Sequence, residues 1–202
     1  MILKSKDLSI KDNYKLIIGS VLPRPIALVS SLSDDGIPNL APFSFFTGIT
    51  SNPPTIGFAP ALKGKDGDKK DTLANVENVG EFVVNIVTED ITDGMIKTAS
   101  DVPPDVDEFK MAGFTAIESE IVKPSRVKES PINLECKLLQ VVYIGDGTAG
   151  SGAFVIGEIV VYHIDDAIYH EGKINTALLK PVGRLAGQDY TTLGNRFSME
   201  RK

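Results

Sequence analysis

The sequence predicts a mainly β fold with peripheral helices, built as one domain over residues 1–202. Three observations carry that expectation. Short apolar segments bounded by turn residues recur at Ile26–Ser31, Phe43–Ile49, Thr55–Ala59 and Glu81–Val87, which is the punctuation of β-strands. Two longer apolar segments, Ile132–Ile144 and Gly152–Ile164, flank the glycine-rich loop Gly145–Ser151. In the first of these, apolar residues alternate through Ile132, Leu134, Cys136 and Leu138 and then slip at Leu139. A one-residue slip marks a β-bulge, which bends a strand and helps a sheet curl into a barrel.

In chain order, Ile10, Tyr14, Ile17, Ile18 and Val21 fall at helical spacing behind Ser9 as the N-cap, and Pro23 and Pro25 end that helix. Turns at Asp34-Asp35-Gly36 and Pro53-Pro54 separate the next strands. Leu62–Lys69 is a charged loop containing glycine. Asp71–Val79 forms a short helix with Asp71 or Thr72 as N-cap and Gly80 in the stop position. In the strand Glu81–Val87, Phe82, Val84 and Ile86 share one face, while Val83, Asn85 and Val87 share the other. A second short helix covers Thr88–Ala99, with Glu89 and Asp90 in its first turn where the dipole favours acids. Ser100–Ser119, with two prolines and several acids, is an irregular surface excursion. The strand Phe154–Ile164 is apolar on both faces, so something must cover its outside, and a partner subunit is the economical answer.

Composition narrows the function classes. A chain of 202 residues, 42% of them hydrophobic, has apolar material for one sizeable core. A net charge of −6 argues against a protein that grips nucleic acid, since such proteins carry a basic face. The single cysteine, Cys136, rules out an internal disulfide and a cysteine-only zinc site, and fits a reducing cytoplasm. No apolar run approaches the roughly 18 to 20 residues that span a bilayer. Charges interrupt the N-terminal segment every few residues, unlike a signal peptide. The expectation is a cytoplasmic protein.

Several segments carry candidate chemistry. Lys69-Lys70-Asp71-Thr72 brings two ammonium groups, a hydroxyl and the first amides of a helix together, which makes an anion site; an ordinary capped helix behind a solvated lysine loop accounts for the same residues. In Asn39–Phe46, the small residues Ala41, Pro42 and Ser44 let main chain approach a flat ligand between phenylalanine walls. Phe43 and Phe45 share a face by alternation, leaving Ser44 and Phe46 on the other, so Ser44 falls on the ligand side. Three phenylalanines at this spacing also suit a core. Ser30 and Ser31 close the first strand, where paired serines serve equally as ligand contacts or as plain turn residues. Asn85 is either a satisfied buried amide or a ligand contact, and the structural role is the one favoured. His163 and His170 have no carboxylate or cysteine at metal-ligand spacing, so no metal site is expected. G-x-S-x-G and Walker A motifs are missing, and no catalytic side chain is assigned. Gly145–Gly152 joins two strands without a following helix and makes a hairpin loop rather than a phosphate cradle. In the tail, Arg184 offers a planar fork to a phosphate or carboxylate, and Tyr190 offers a ring; packing across a partner chain is an equally physical account.

In order along the chain, PRPIALVSS, NLAPFSFF, NPPTIGF, KKDTLANV, GEFVVNIV, DEFKMAGF, GEIVVYHI and PVGRLAGQDY resemble the flavin reductase-like family, in its flavoredoxin and NADH:FMN oxidoreductase-like branch. The resemblance implies a six-stranded Greek-key split β-barrel, a homodimer, and FMN at or near the subunit interface. It also implies that Ser30, Ser31, Ala41, Pro42, Phe43, Ser44, Lys70, Asp71, Thr72 and Arg184 lie around FMN. The hard chemistry then belongs to the cofactor, and hydride transfer between stacked rings depends mainly on orientation. Two functions follow. One is an FMN-dependent reductase taking a hydride from NADH or NADPH and passing electrons to free flavin, a ferric complex or a partner protein. The other is a flavoredoxin-like carrier reduced by another protein. A flavin-free split-barrel binding protein is a third reading.

Overall fold

The computed structural model describes residues 1–62 and 68–200, so the expected loop Leu62–Lys69 is seen only at its ends. Seven strands form one antiparallel sheet: β1 (Ala27–Leu32), β2 (Pro38–Phe43), β3 (Phe46–Ser51), β4 (Pro54–Phe58), β5 (Glu81–Ile86), β6 (Ile132–Ile144) and β7 (Gly152–Ile164). Their order across the sheet is β2-β1-β5-β6-β7-β4-β3. The two edge strands, β2 and β3, are therefore consecutive in sequence, separated only by Ser44 and Phe45. In a flat sheet the edges would stand about 29 Å apart, at about 4.8 Å per strand. Three residues reach at most about 11 Å. The sheet must therefore curl until its edges meet at Ser44-Phe45, which makes it a split barrel with one strand more than the expected six.

The long strands start and stop where their patterns predict. Gly157 pairs with Leu138 and Ile156 with Gln140, so Leu139 is the extra residue of a bulge. A second register shift separates Ile159 from Val161. Both increase local bending.

The barrel interior holds Val29, Phe43, Phe58, Phe82, Val84, Leu134 and Val155. Phe58 packs on Phe43 and Phe82 at 5.0 and 5.4 Å between ring centroids. Helix α2 (Asp71–Val79) contributes Leu73 and Val76 to the same cluster and stops at Gly80, whose φ of 73° is left-handed. A second cluster lies on the other face of β1 and β2, where Leu28 and Leu40 meet Ile91, Met95 and Phe109. It is covered by α3 (Thr92–Lys97) and α4 (Glu108–Ala112). The expected helix Thr88–Ala99 is thus a 3-10 turn at Glu89–Ile91 followed by α3, and α4 lies inside the stretch expected to be irregular.

Two local expectations are corrected. The segment Phe43–Ile49 is not one strand: it breaks at Ser44-Phe45, where the barrel turns its corner. Alternation fails across that break, so Phe43 is buried, Phe46 packs against the same core, and Phe45 is 38% exposed. Helix α1 (Ile10–Ser20) is capped by Ser9 as predicted, but its apolar stripe is not covered. Ile10, Tyr14 and Ile17 remain exposed and only Ile18 is buried.

Candidate functional site

The edge of β2 forms the floor of a cleft. The amide of Leu40 donates to Glu108 Oε2 at 3.1 Å rather than to β1. In an antiparallel ladder, alternate residues share this outward orientation, so Pro38 and Pro42 occupy positions where a missing N–H costs no ladder bond. The outward carbonyls of Leu40 and Pro42 are left on the same side as acceptors.

Two hollows lie along this edge and meet at Pro42 and Ala99. One, of about 170 Å³, is lined by Asn39, Ala41, Lys70, Asp71, Thr72, Thr98, Asp101 and Glu108 among others. The other, of about 190 Å³, is lined by Tyr14, Arg24, Ser44, Met95, Arg184 and Tyr190 among others.

At the first end, Lys70 rather than Asp71 or Thr72 is the N-cap of α2, and no side chain caps that turn. Helix geometry aims the first-turn amides out of the helix end. Thr72 is buried, and its hydroxyl accepts from Asn39 Nδ2 at 2.8 Å. Asn39 Nδ2 also donates to Ser31 Oγ at 3.1 Å, and Asn75 Nδ2 reaches Ser31 Oγ at 3.2 Å. These bonds tie α2 to β1 and β2 and fix the position of its N-terminus. Glu108 is nearly buried; its burial raises the carboxyl pKa above the usual range, its own amide and that of Leu40 oppose this, and Asp71 and Asp107 add to the rise.

At the second end, Arg24 is 4% exposed. Its Nη1 donates to the carbonyls of Ile18 and Val21 at 2.9 and 2.8 Å, its Nη2 to Leu185 at 2.8 Å, and its Nε to Ser44 Oγ at 3.3 Å. One guanidinium thus joins the end of α1, the tail and the barrel corner. Arg184 lies 4.3 Å from the Tyr190 ring centroid and donates to Gly187. It is held there by the pairing of Gly183-Arg184 with Arg24-Pro25 and with Tyr190-Thr191.

Of the residues singled out in the sequence, Ala41, Pro42, Ser44, Lys70, Asp71, Thr72 and Arg184 are brought together around this cleft. Ser31 lies beneath it in the Asn39 network. Phe43 lies in the barrel core instead of forming a cleft wall. Ser30 is fully buried, with its hydroxyl on the Ser125 carbonyl, because even positions of β1 face the second cluster. Lys69 turns away, pairing with Glu77 and lying over Tyr143, so Lys70 is the ammonium that lines the cleft. Asn85 is structural: its amide donates to Leu28 and accepts from Val127 and Asn133. Sequence reasoning missed Arg24, Asn39 and Glu108 as site residues. Arg24 stood inside the PRPIALVSS motif, but nothing local marks it as buried.

Among the described residues, no cluster of histidine, cysteine and carboxylate suits a metal ion, and no helix is long and apolar enough to cross a membrane. Cys136 lies in the core, where burial pushes its thiol pKa strongly up, so it is no nucleophile.

The model of the flavin reductase like domain matches residues 18–178. The chain belongs to that family. Nitrilotriacetate monooxygenase component B from Bacillus cereus is similar in structure at a TM-score of 0.95, with 37% identity over 98% of each chain. Pseudomonas fluorescens 2-nitrobenzoate 2-nitroreductase NbaA matches at 0.88, with 32% identity over 100% of this chain and 96% of its own. A split barrel domain from Shewanella frigidimarina shares the fold at 0.82, covering 100% and 99% at 22% identity. The family is one of flavin-handling oxidoreductases.

Proposed function

We propose that this protein holds FMN along the β2 cleft and acts as an NAD(P)H-dependent flavin reductase, passing electrons to free flavin, a ferric complex or a partner protein. The observation that carries the reading is the joining of an anion-binding helix start, with Lys70 and Thr72, to a strand edge whose far end is ring-sized and bears Ser44 and Arg184. A phosphate suits the amides of α2 and the Lys70 ammonium. Carboxylates of Asp101 and Glu108 suit hydroxyl donors such as those of a ribityl chain. A flat heterocycle suits the outward carbonyls of Leu40 and Pro42. FMN, when bound, supplies the electron chemistry that no side chain of the cleft provides. The chain's own part is to orient the ring and leave one face open for a donor.

The same reading includes a cytoplasmic homodimer. The uncovered stripe of α1 borders an apolar groove of about 760 Å³ that also involves Phe45, Pro60 and Ile144. Exposed Leu139, Val142 and Tyr143 on the far half of β6 add to that apolar surface. Monomers seldom leave patches of this kind in water, and a second copy is the cover proposed.

Anaerobic titration of FMN-loaded protein tests the activity. Bleaching of the flavin by NADH or NADPH supports the reductase. A flavin reduced by dithionite but by neither nucleotide would assign the protein as an electron carrier instead.

A further inference from the structure

The two ends of the cleft differ in charge. The residues lining the ring-sized end include Arg24 and Arg184 and no carboxylate. Those lining the other end include Lys70 with Asp71, Asp101 and Glu108. Among the described residues, no carboxylate lies within 4.0 Å of either guanidinium. Arg24 is satisfied by neutral carbonyls and a hydroxyl, which meet its hydrogen-bonding needs without cancelling its charge. Burial lowers the Arg24 pKa, Tyr14 opposes this, and Arg184 lowers it further. A guanidinium nevertheless keeps its proton in proteins. The ring-sized end therefore carries two positive charges at a partly desolvated surface, where charge is weakly screened.

We infer that the Arg24–Arg184 pair raises the electron affinity of a flavin held in this cleft, because it favours a ring that has gained negative charge over a neutral one. The inference rests on the FMN reading above. Two electrons and one proton added to a neutral isoalloxazine leave it with one negative charge. A positive site binds that form more tightly than the oxidised ring, and the difference appears as a higher midpoint potential. Arg24, fixed by four hydrogen bonds, is the permanent part of the field. Arg184, whose side chain lies over Tyr190 and, among the described residues, donates to Gly187 alone, is the part that substitution removes with least damage.

The test compares Arg184→Gln with Arg184→Lys in the full chain. Dissociation constants are measured for oxidised and reduced FMN, together with the midpoint potential of the bound flavin. Arg184→Gln is expected to reduce the preference for reduced over oxidised FMN by about tenfold, a fall of about 30 mV for a two-electron couple. Arg184→Lys is expected to retain most of that preference. A purely structural role would move both variants alike, and an unchanged potential in Arg184→Gln overturns the inference while FMN binding stands. If the unsubstituted protein takes up no FMN, the FMN reading falls and the inference with it. Arg24→Lys supplies a second comparison, since it keeps the charge while losing the forked bonds to Ile18, Val21 and Leu185. Retention of the potential in a folded Arg24→Lys protein supports the charge account; a fall as large as that in Arg184→Gln contradicts it.

Discussion

The Asn39 amide donates to the Thr72 hydroxyl at 2.8 Å, joining the edge strand of the barrel to the first turn of α2. Both residues are buried, so this bond lies under the cleft floor and fixes where the helix N-terminus points. Replacing Asn39 with Ala removes its bonds to Thr72 and Ser31, so the buried Thr72 hydroxyl loses this donor while Ser31 keeps the one from Asn75. The expected loss is about 1–3 kcal/mol of stability, read from urea denaturation at pH 7, together with weaker FMN binding. A variant as stable as the parent would show that water replaces the amide without cost.

Lys70 is expected to act on the proposed ligand rather than on the fold. It is half-buried at the start of α2, and its charge lines the cleft. Lys70→Ala is expected to weaken FMN binding by about 1.5–3 kcal/mol, the range for a charge-assisted hydrogen bond. Thermal unfolding without flavin should hardly change. Isothermal titration of both proteins checks the pair of statements.

Glu135 gives the protein an acid limit. Its carboxylate is fully buried in the barrel wall and accepts from the amides of Glu120, Ile121 and Val122, while His163 Nε2 lies 2.6 Å from Oε1. Burial alone would raise its pKa, but the Glu120 amide, His163 and the Ile121 and Val122 amides together hold it below the usual carboxylate value. A folded pKa below the unfolded one, about 4.3, contributes stability above that unfolded value. The contribution is lost as pH falls through the folded pKa. Glu135→Gln should therefore cost about 1.5–3 kcal/mol at pH 7, and the gap to the parent should narrow on acidification below pH ~4. A gap independent of pH would refute the role of the charge.

Gly157 sits where β7 crosses the Phe82 ring. A Cβ there would overlap Cζ and Cε1 of Phe82, whose side chain is fully enclosed. Gly157→Ala should destabilise by about 1–3 kcal/mol through overpacking. Gly48→Ala, with nothing within 4 Å of the new carbon, should stay within about 0.5 kcal/mol. Equal melting temperatures for the two variants would count against tight packing at Gly157.

Much of the fold was legible because local pattern and long-range pairing agree. The bounds of β6 and β7 follow from two apolar runs that flank a glycine-rich loop, and the bulge at Leu139 from alternation in β6, since a slip in period has no other outlet in a paired strand. The α1 cap at Ser9 and the α2 stop at Gly80 are local chemistry as well. The corner at Ser44-Phe45 was not legible, because it is set by the closure of seven strands and not by any residue at the break. For the same reason Phe46 packs on the core beside Phe43, while Phe45, expected to share the face of Phe43, is exposed. Within the site, Lys70, Thr72, Ala41 and Ser44 announced themselves by type and spacing. Glu108 did not, since its partner Leu40 lies 68 residues away. Arg24 did not, because its partners are carbonyls of Ile18, Val21 and Leu185, which no sequence pattern displays.

The most direct measurement of the central claim compares equilibrium binding of FMN and riboflavin to the same protein by quenching of flavin fluorescence. The two ligands share the ring and ribityl chain and differ only in the phosphate assigned to Lys70 and the α2 N-terminus. FMN should bind at least tenfold more tightly, a difference of about 1.4 kcal/mol, and most of that advantage should vanish in Lys70→Ala. Equal affinity for the two ligands would contradict a phosphate at this helix and, with it, the placement of FMN along the β2 cleft.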